Sequence, residues 1–174
     1  SLDEAKAHLR VDGDAEDGLV GRLVRAARVH VEQLTGRALV TQGWRLVLDD
    51  WPRAGAVRLA PAPVRSVDAV TLYDADGTPT VVGEDDLLLD LAAAPGRLKL
   101  RGSHLPGRAM NGIEIDMTCG YGVPAEVPPP LRQAVLMLVA FWFEHREAAA
   151  VEATTPEICH GVQALVAPYR GVRL

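Results

Sequence analysis

The spacing of apolar residues changes twice along this chain, and this change constrains the fold more than any single motif does. Between residues 19 and 34 apolar side chains recur every three or four positions, which is typical of an amphipathic helix. From residue 40 to residue 119 they alternate with polar ones in short runs, which is typical of half-buried strands. After three consecutive prolines the apolar residues return at helical density. The pattern predicts helices on both sides of a β region.

Three helices are predicted outside the β region. The first covers residues 2–9, and the second ends at Gly36, a residue type that favours helix termination. The third covers residues 131–146 and begins after prolines, where a missing amide hydrogen does no harm. This third helix is apolar on nearly every side. It must therefore be enclosed by its own fold or by a neighbouring subunit.

Seven strands are predicted within the β region. The segment Asp74-Ala75-Asp76-Gly77 has the residue types of a tight turn and predicts a hairpin. The alternation is cleanest near the end of the region, where Ile113, Ile115, Met117 and Cys119 are separated by polar residues. The predicted strands cover residues 42–50, 57–59, 67–73, 80–82, 87–91, 97–101 and 113–119.

These elements predict an α+β fold. A small helical bundle, made of the two N-terminal helices and the C-terminal helix, is interrupted by an antiparallel β domain and followed by an extended C-terminal tail. The helical domain covers residues 1–39 and 124–150, the β domain residues 40–123, and the tail residues 151–174. The two helical stretches pack together because neither can bury its apolar face alone. The tail is apolar without regular spacing, so we expect it to need a partner.

Charge, cysteine content and the length of apolar runs limit the classes of partner and the cellular compartment that we expect. The 174 residues carry a net charge of -5, whereas a protein that grips nucleic acid through phosphates carries a basic excess. Two cysteines are too few for a disulfide framework, and the N-terminus has no signal-peptide pattern, so we expect a reducing cytoplasm. The longest apolar run, residues 134–143, is far short of the roughly 20 residues that cross a bilayer. We expect no membrane span.

No motif predicts catalysis, a cofactor or a metal. The chain has no G-x-S-x-G motif, and Cys159 and His160 are neighbours in sequence without a reason to be in contact. The five histidines lack the spacing of paired metal ligands. A single G-x-G at Gly120 follows a strand but leads into a proline, so it predicts a turn and not a phosphate site.

Three arginines line the polar side of the second helix. Arg22, Arg25 and Arg28 recur at three-residue spacing, and they could contact phosphate or the acidic surface of a partner. The simpler interpretation is a solvated face with Arg28 paired to Glu32 one turn later. The acidic total favours the simpler interpretation.

Short motifs occur in a fixed order along essentially the whole chain. They include Leu2-Asp3-Glu4-Ala5, Thr35-Gly36-Arg37, Trp51-Pro52, Tyr73-Asp74-Ala75-Asp76-Gly77, Cys119-Gly120-Tyr121-Gly122, Val127-Pro128 and Pro168-Tyr169-Arg170. Each is weak alone, but the ordered set is specific. In this set the sequence resembles the head-tail connector, or adaptor, proteins of long-tailed double-stranded-DNA phages and of phage-derived gene transfer agents.

The resemblance implies a structural protein with no catalytic residues and no cofactor. Adaptors of this family form a homo-oligomeric ring, usually twelve-fold, that joins the portal of the capsid to the stopper and tail. DNA passes through the ring without specific binding, and an acidic protein suits such a channel. The expected location is therefore the head-tail junction of a virion or gene-transfer particle, with the host cytoplasm before assembly.

The resemblance also implies contact residues. Family members dock their C-terminal segment on the portal, which here gives the candidates Leu165, Val166, Pro168, Tyr169, Arg170, Val172 and Leu174. A ring subunit must also leave apolar surface for its neighbours. The apolar last helix supplies the candidate subunit contacts Val135, Leu138, Val139, Phe141 and Trp142.

Other functions stay open on the sequence alone. A stopper or tail-completion protein would also form a ring, although the length and the helix, sheet, helix order favour an adaptor. A small enzyme with an unrecognised site would need a pocket that the sequence does not predict. A DNA-packaging accessory protein would need a basic patch and salt-sensitive binding.

Overall fold

A computed structural model describes residues 1–53, 55–102, 105–145 and 156–171 of the chain. Its helices and strands confirm the α+β class, and each of the seven predicted strands is present. Strands β2 and β7 have the predicted ends, and helix α3 begins two residues before its predicted start. In chain order the elements are α1 (Leu2–Leu9), α2 (Asp17–Thr35), β1 (Gln42–Leu48), β2 (Val57–Leu59), β3 (Val64–Tyr73), β4 (Pro79–Val81), β5 (Leu87–Asp90), β6 (Gly96–Leu100), β7 (Ile113–Cys119), α3 (Pro129–Glu144) and α4 (Pro156–Val166).

The residues form two compact units. One unit contains Ser1–Leu39 and Val123–Leu174, and the other contains Val40–Gly122. All four helices therefore belong to the first unit and all seven strands of the described residues to the second.

The helical unit is built on the packing of α2 against α3. Both helices bury one apolar face, and the covered side chains are Val20, Ala27, Val31, Leu131, Ala134, Leu138, Val139 and Phe141. Each large side chain in this set stabilises the fold by about 1.5–3 kcal/mol relative to an exposed one. Two ion pairs hold α1 in place: Lys6 lies 2.5 Å from Asp17 of α2, and Glu4 lies 2.5 Å from Arg132 of α3.

The chain end differs from the extended tail expected over residues 151–174. Residues Pro156–Val166 form helix α4, which packs on α3 and buries Val162 and Val166. A short 3₁₀ turn, Ala167–Tyr169, follows the helix. The difference has a physical cause: these apolar residues do recur at helical spacing over about two turns, and α3 offers them the apolar side that α2 leaves uncovered.

The β unit contains two antiparallel sheets. One has the strand order β1-β7-β3-β4 and the other the order β2-β6-β5. Strand β7 lies between β1 and β3, and its alternation has the predicted result: Ile113, Ile115, Met117 and Cys119 are buried while the residues between them face outward. The register between β3 and β7 shifts twice, so β3 contains bulges.

Two glycines fix the connections of this unit. Gly77, at φ +83°, completes the turn of the β3–β4 hairpin, in which the Asp74 carboxylate accepts hydrogen bonds from the amides of Asp76 and Thr78. Gly120, at φ +115°, follows β7, and a Cβ there would lie 2.3 Å from the Val40 carbonyl oxygen. Only glycine allows these two backbone segments to come so close.

Candidate interaction surfaces

The described residues contain no cluster of three or more histidine, cysteine, aspartate or glutamate side chains that could hold a metal. A cavity beside the loop after β6 is lined by Asp49, Asp50 and residues 105–109, and none of these carries a hydroxyl, thiol or imidazole. No described helix has the length and the apolar content that spanning a bilayer requires. Four regions of the described surface stand out.

The first region is the side of α3 that its neighbours leave open. Of the five candidate subunit contacts, the structure places Leu138, Val139 and Phe141 in the core of the helical unit, with at most 6% of each exposed. These three residues are buried in a unit where α3 packs against both α2 and α4, so they offer almost no surface to a neighbouring chain. Val135 and Trp142 are half-buried and keep part of their apolar surface open. The uniform apolarity of α3 thus reflects two packing partners within the chain.

The second region is the chain end. Gly161 of α4 faces α3 so closely that a Cβ there would lie 2.8 Å from Cε of Met137, which explains how α4 packs flat on α3. Among the candidate portal contacts, Val166 is buried and Leu165 is half-buried, while Pro168 and Arg170 are exposed. Val172 and Leu174 lie outside the described residues.

Arg37 holds this chain end against α2, which the sequence did not predict. Its Nε donates a hydrogen bond of 2.7 Å to the backbone carbonyl of Tyr169, and its guanidinium lies 5.8 Å from the centre of the Tyr169 ring. The Arg170 side chain in turn donates to Gln163 of α4. Arg37 and Tyr169 are 132 positions apart, and no local pattern predicts a contact at that separation.

The third region is the exposed side of α2. Here Arg22, Arg25, Ala26 and Val29 lie on one face, which we call the α2 arginine face. Val29 is 41% exposed. No hydrogen bond or ion pair joins the side chains of Arg22, Arg25 and Arg28 to another residue within the described parts of the chain. The structure gives Glu32 a different partner from the predicted Arg28, because its Oε1 accepts a hydrogen bond of 2.8 Å from the Leu39 amide.

The α2 arginine face continues into α3. His30 follows Val29, and its ring meets the Trp142 ring edge-on with centroids 6.1 Å apart. The open side of α2 and the open side of α3 at Trp142 thus form a single surface.

The fourth region is the outer face of the larger sheet, which is covered by charges. Arg45 of β1 donates two hydrogen bonds to Asp116 of β7, at 2.7 and 3.0 Å, and lies 3.2 Å from Glu114. The Tyr73 hydroxyl donates to Glu114 at 3.0 Å. The hydrogen bonds from Arg45 lower the pKa of Asp116, and the hydrogen bond to Glu114 raises the pKa of Tyr73. This face is internally paired and so is poorly suited to bind a charged partner.

The loop after β6 presents apolar side chains beside this sheet. Leu105 and Met110 are 74% and 68% exposed. Hydrogen bonds hold the later part of this loop, since the Tyr73 carbonyl accepts from the amides of Gly107 and Arg108 and the Asp49 carboxylate accepts from the Asn111 amide. Neither apolar residue was among the predicted contacts, because single apolar residues in a polar loop form no periodic pattern.

Comparisons with known proteins give consistent matches. The model of a family described as phage gp6-like head-tail connector proteins matches residues 1–74. A chain from a structure described as the neck of an empty GTA particle, computed with C6 symmetry, is 35% identical with a TM-score of 0.82, over 99% of this chain and 90% of that chain. No curated protein sequence matches.

Two further solved structures agree. A chain of the virion of a native gene transfer agent (GTA) particle is 35% identical with a TM-score of 0.83, over 99% of this chain and 90% of that one. A chain of the neck of the native GTA particle, computed with C12 symmetry, is 35% identical with a TM-score of 0.76. The match covers 97% of this chain and 89% of that chain.

Proposed function

The chain belongs to the phage gp6-like head-tail connector family, and from this premise we propose that it is the adaptor subunit in the neck of a tailed-phage-like particle. It is a structural component of the head-tail junction. The observation that carries this function is the 35% identity to a chain of a GTA particle neck, which extends over 99% of this chain and so includes both units. An adaptor of this kind has no catalytic role.

The proposed assembly is a closed ring of identical subunits. Its support is the symmetry reported for the similar necks, C6 in one and C12 in the other, which places equivalent chains around an axis. We take the ring to be twelve-fold, with the portal on one side and the stopper and tail on the other. In such a ring each subunit uses two different surfaces, one for each neighbour.

Apolar surface on the helical unit supports a subunit contact there. Val135 and Trp142 of α3 are the candidates that keep open apolar area, and Trp142 extends the surface formed by α2. Partly exposed aromatic residues are common anchors of protein interfaces. We assign these two residues to the contact between neighbouring subunits.

The chain end is the proposed portal contact. Pro168 and Arg170 are exposed, and the Arg37 contact with Tyr169 fixes the position of the described chain end on the helical unit. Anchoring lowers the entropy that a terminal segment loses when it binds. Val166 contributes indirectly, because its burial holds α4 on α3.

Net charge supports a channel that does not retain DNA. The chain carries a charge of -5, and a ring of twelve such subunits repels phosphate overall. DNA would therefore pass through the ring without specific binding.

A pair of deletions tests the portal contact. Removing residues 168–174 leaves Val162 and Val166 in place, so we expect an unchanged circular dichroism spectrum together with loss of binding to the portal protein of the same particle. Removing only residues 172–174 keeps the Arg37–Tyr169 contact and measures the part played by the last three residues. Full portal binding by the longer deletion, measured by co-sedimentation, would contradict the assignment.

A further inference from the structure

Charge is distributed unevenly along the helical unit. The first 17 residues carry six acidic and two basic side chains, whereas residues 18–39 carry four arginines and one glutamate. Internal ion pairs satisfy part of the acidic group, since Glu4 pairs with Arg132 and Asp17 with Lys6.

Asp12 and Asp14 remain exposed in the connection between α1 and α2. Within the described residues no ion pair or side-chain hydrogen bond involves either carboxylate. We call these two residues the acidic corner. Within the described residues, one unit thus carries a basic face and an acidic corner that have no ion-pair or side-chain hydrogen-bond partner.

From this arrangement we propose that the α2 arginine face of one subunit docks on the acidic corner of the next copy of the chain, so that the pair forms a ring contact. The inference rests on the proposed ring, which requires each subunit to offer two different and complementary surfaces. Opposite charges on these surfaces select the head-to-tail contact and disfavour contact between two like surfaces.

The composition of the α2 arginine face favours a protein partner. Ala26 and the 41% exposed Val29 lie on the same face as Arg22 and Arg25, and this mixture of apolar area with guanidinium groups is typical of interface cores. Phosphate is bound by charged and polar donors, so a phosphate-binding surface does not account for the exposed apolar residues. The face also continues through His30 to Trp142, which we assign to the same subunit contact.

Close packing along α2 supports a flat contact. Gly18 and Gly21 lie one turn before Arg22 and Arg25, and the nearest side-chain atoms to a Cβ built at these glycines are the guanidinium nitrogens, at 3.7 and 3.9 Å. The two arginine side chains therefore lie along the helix over positions without side chains. This keeps the charges close to the backbone surface that a neighbour would approach.

A charge exchange tests the contact. We expect the double variant Arg22→Glu with Arg25→Glu to weaken each subunit contact about tenfold or more, since two attractive pairs become repulsive. Adding Asp12→Arg and Asp14→Arg to that variant exchanges the two signs and restores assembly. Arg58→Glu, an exposed charge reversal in the β unit, is the matched control and leaves assembly unchanged.

The readout is the ring population of the full chain with its portal protein, counted by mass photometry, with circular dichroism to verify that each variant folds. Loss of rings in the double variant, together with their recovery in the fourfold variant, supports the contact. Normal rings from the double variant, or failure of the fourfold variant to recover, overturns it. A double variant with normal rings and weaker, salt-sensitive DNA binding would reassign the arginines to DNA. Absence of a ring from the unaltered chain would instead contradict the proposed function.

Discussion

Arg37 and Tyr169 tie the two ends of the helical unit together. The Arg37 Nε donates to the Tyr169 carbonyl at 2.7 Å, and the guanidinium lies 5.8 Å from the centre of the Tyr169 ring. Because Arg37 lies two residues after the end of α2, the C-terminal turn is fixed relative to the N-terminal half of the unit. The position from which a portal contact would start is therefore set by a side chain distant in sequence.

Loss of the Arg37–Tyr169 contact should increase the local opening of the chain end. In Arg37→Ala we expect faster amide hydrogen exchange over residues 160–171 and a loss of about 1.5–3 kcal/mol of stability, the usual net value of a hydrogen bond with a charged donor. Arg37→Lys keeps the charge without the planar donor, so its effect should be intermediate. Unchanged amide hydrogen exchange over residues 160–171 in Arg37→Ala would show that this contact does not restrain the chain end.

Gly120 should be intolerant of a side chain. Gly120→Ala adds a Cβ 2.3 Å from the Val40 carbonyl oxygen at a φ of +115°, so we expect a destabilisation of about 3 kcal/mol or more in urea unfolding. Gly77→Ala is the control, because Gly77 also has a positive φ but nothing lies within 4 Å of its Cβ position. Gly77→Ala should lower the free energy of unfolding by about 1 kcal/mol. Equal losses for the two variants would contradict the close approach.

Cys119 should be inert while the protein is folded. The side chain is fully buried, and burial, assisted by the nearby Asp68, raises the pKa of its thiol to about 11. A pKa raised this far lowers the thiolate fraction at pH 8 by about a hundredfold, before access is considered. In a Cys159→Ser background, a thiol reagent at pH 8 should modify Cys119 at the rate of unfolding only. Rapid modification of the folded protein would be inconsistent with this burial.

Acid should weaken the outer face of the larger sheet. Hydrogen bonds from Arg45 lower the pKa of Asp116, so the stability they provide is present above the unfolded pKa of about 3.9 and is lost as the pH falls through the lower folded pKa. In Arg45→Ala the pKa of Asp116 should rise toward its ordinary value, which carboxyl ¹³C NMR measures directly. Arg58→Ala should leave it unchanged. If the pKa of Asp116 is the same in Arg45→Ala as in the unaltered chain, Arg45 does not cause the expected loss of stability in acid.

Apart from α4, the helices and strands of the described residues could be predicted because their causes are local. Strand β7 follows from alternation, the β3–β4 hairpin from Asp74 to Gly77, and the end of α2 from Gly36, which has a φ of +66°. Each depends on neighbours within a few residues. The ordered motifs likewise identified the family, which the comparisons then confirmed.

The contacts could not be predicted to the same degree, because they depend on which surfaces meet. The apolar residues of α3 and of the chain end looked like unsatisfied surface, but Val139 and Val166 pack within one unit and are fully buried. A sequence shows that a face is apolar without showing what covers it. The Arg37 contact with Tyr169 was missed for the same reason, since it arises only when distant segments meet.

Imaging the assembled junction tests the central claim most directly. Electron microscopy of the purified chain mixed with the portal protein of the same particle should show a ring of this chain stacked coaxially on the portal, with twelve copies around the axis. The Arg37-anchored chain end should lie at the portal side of that ring. A chain that stays monomeric and leaves the portal uncovered would contradict the adaptor function.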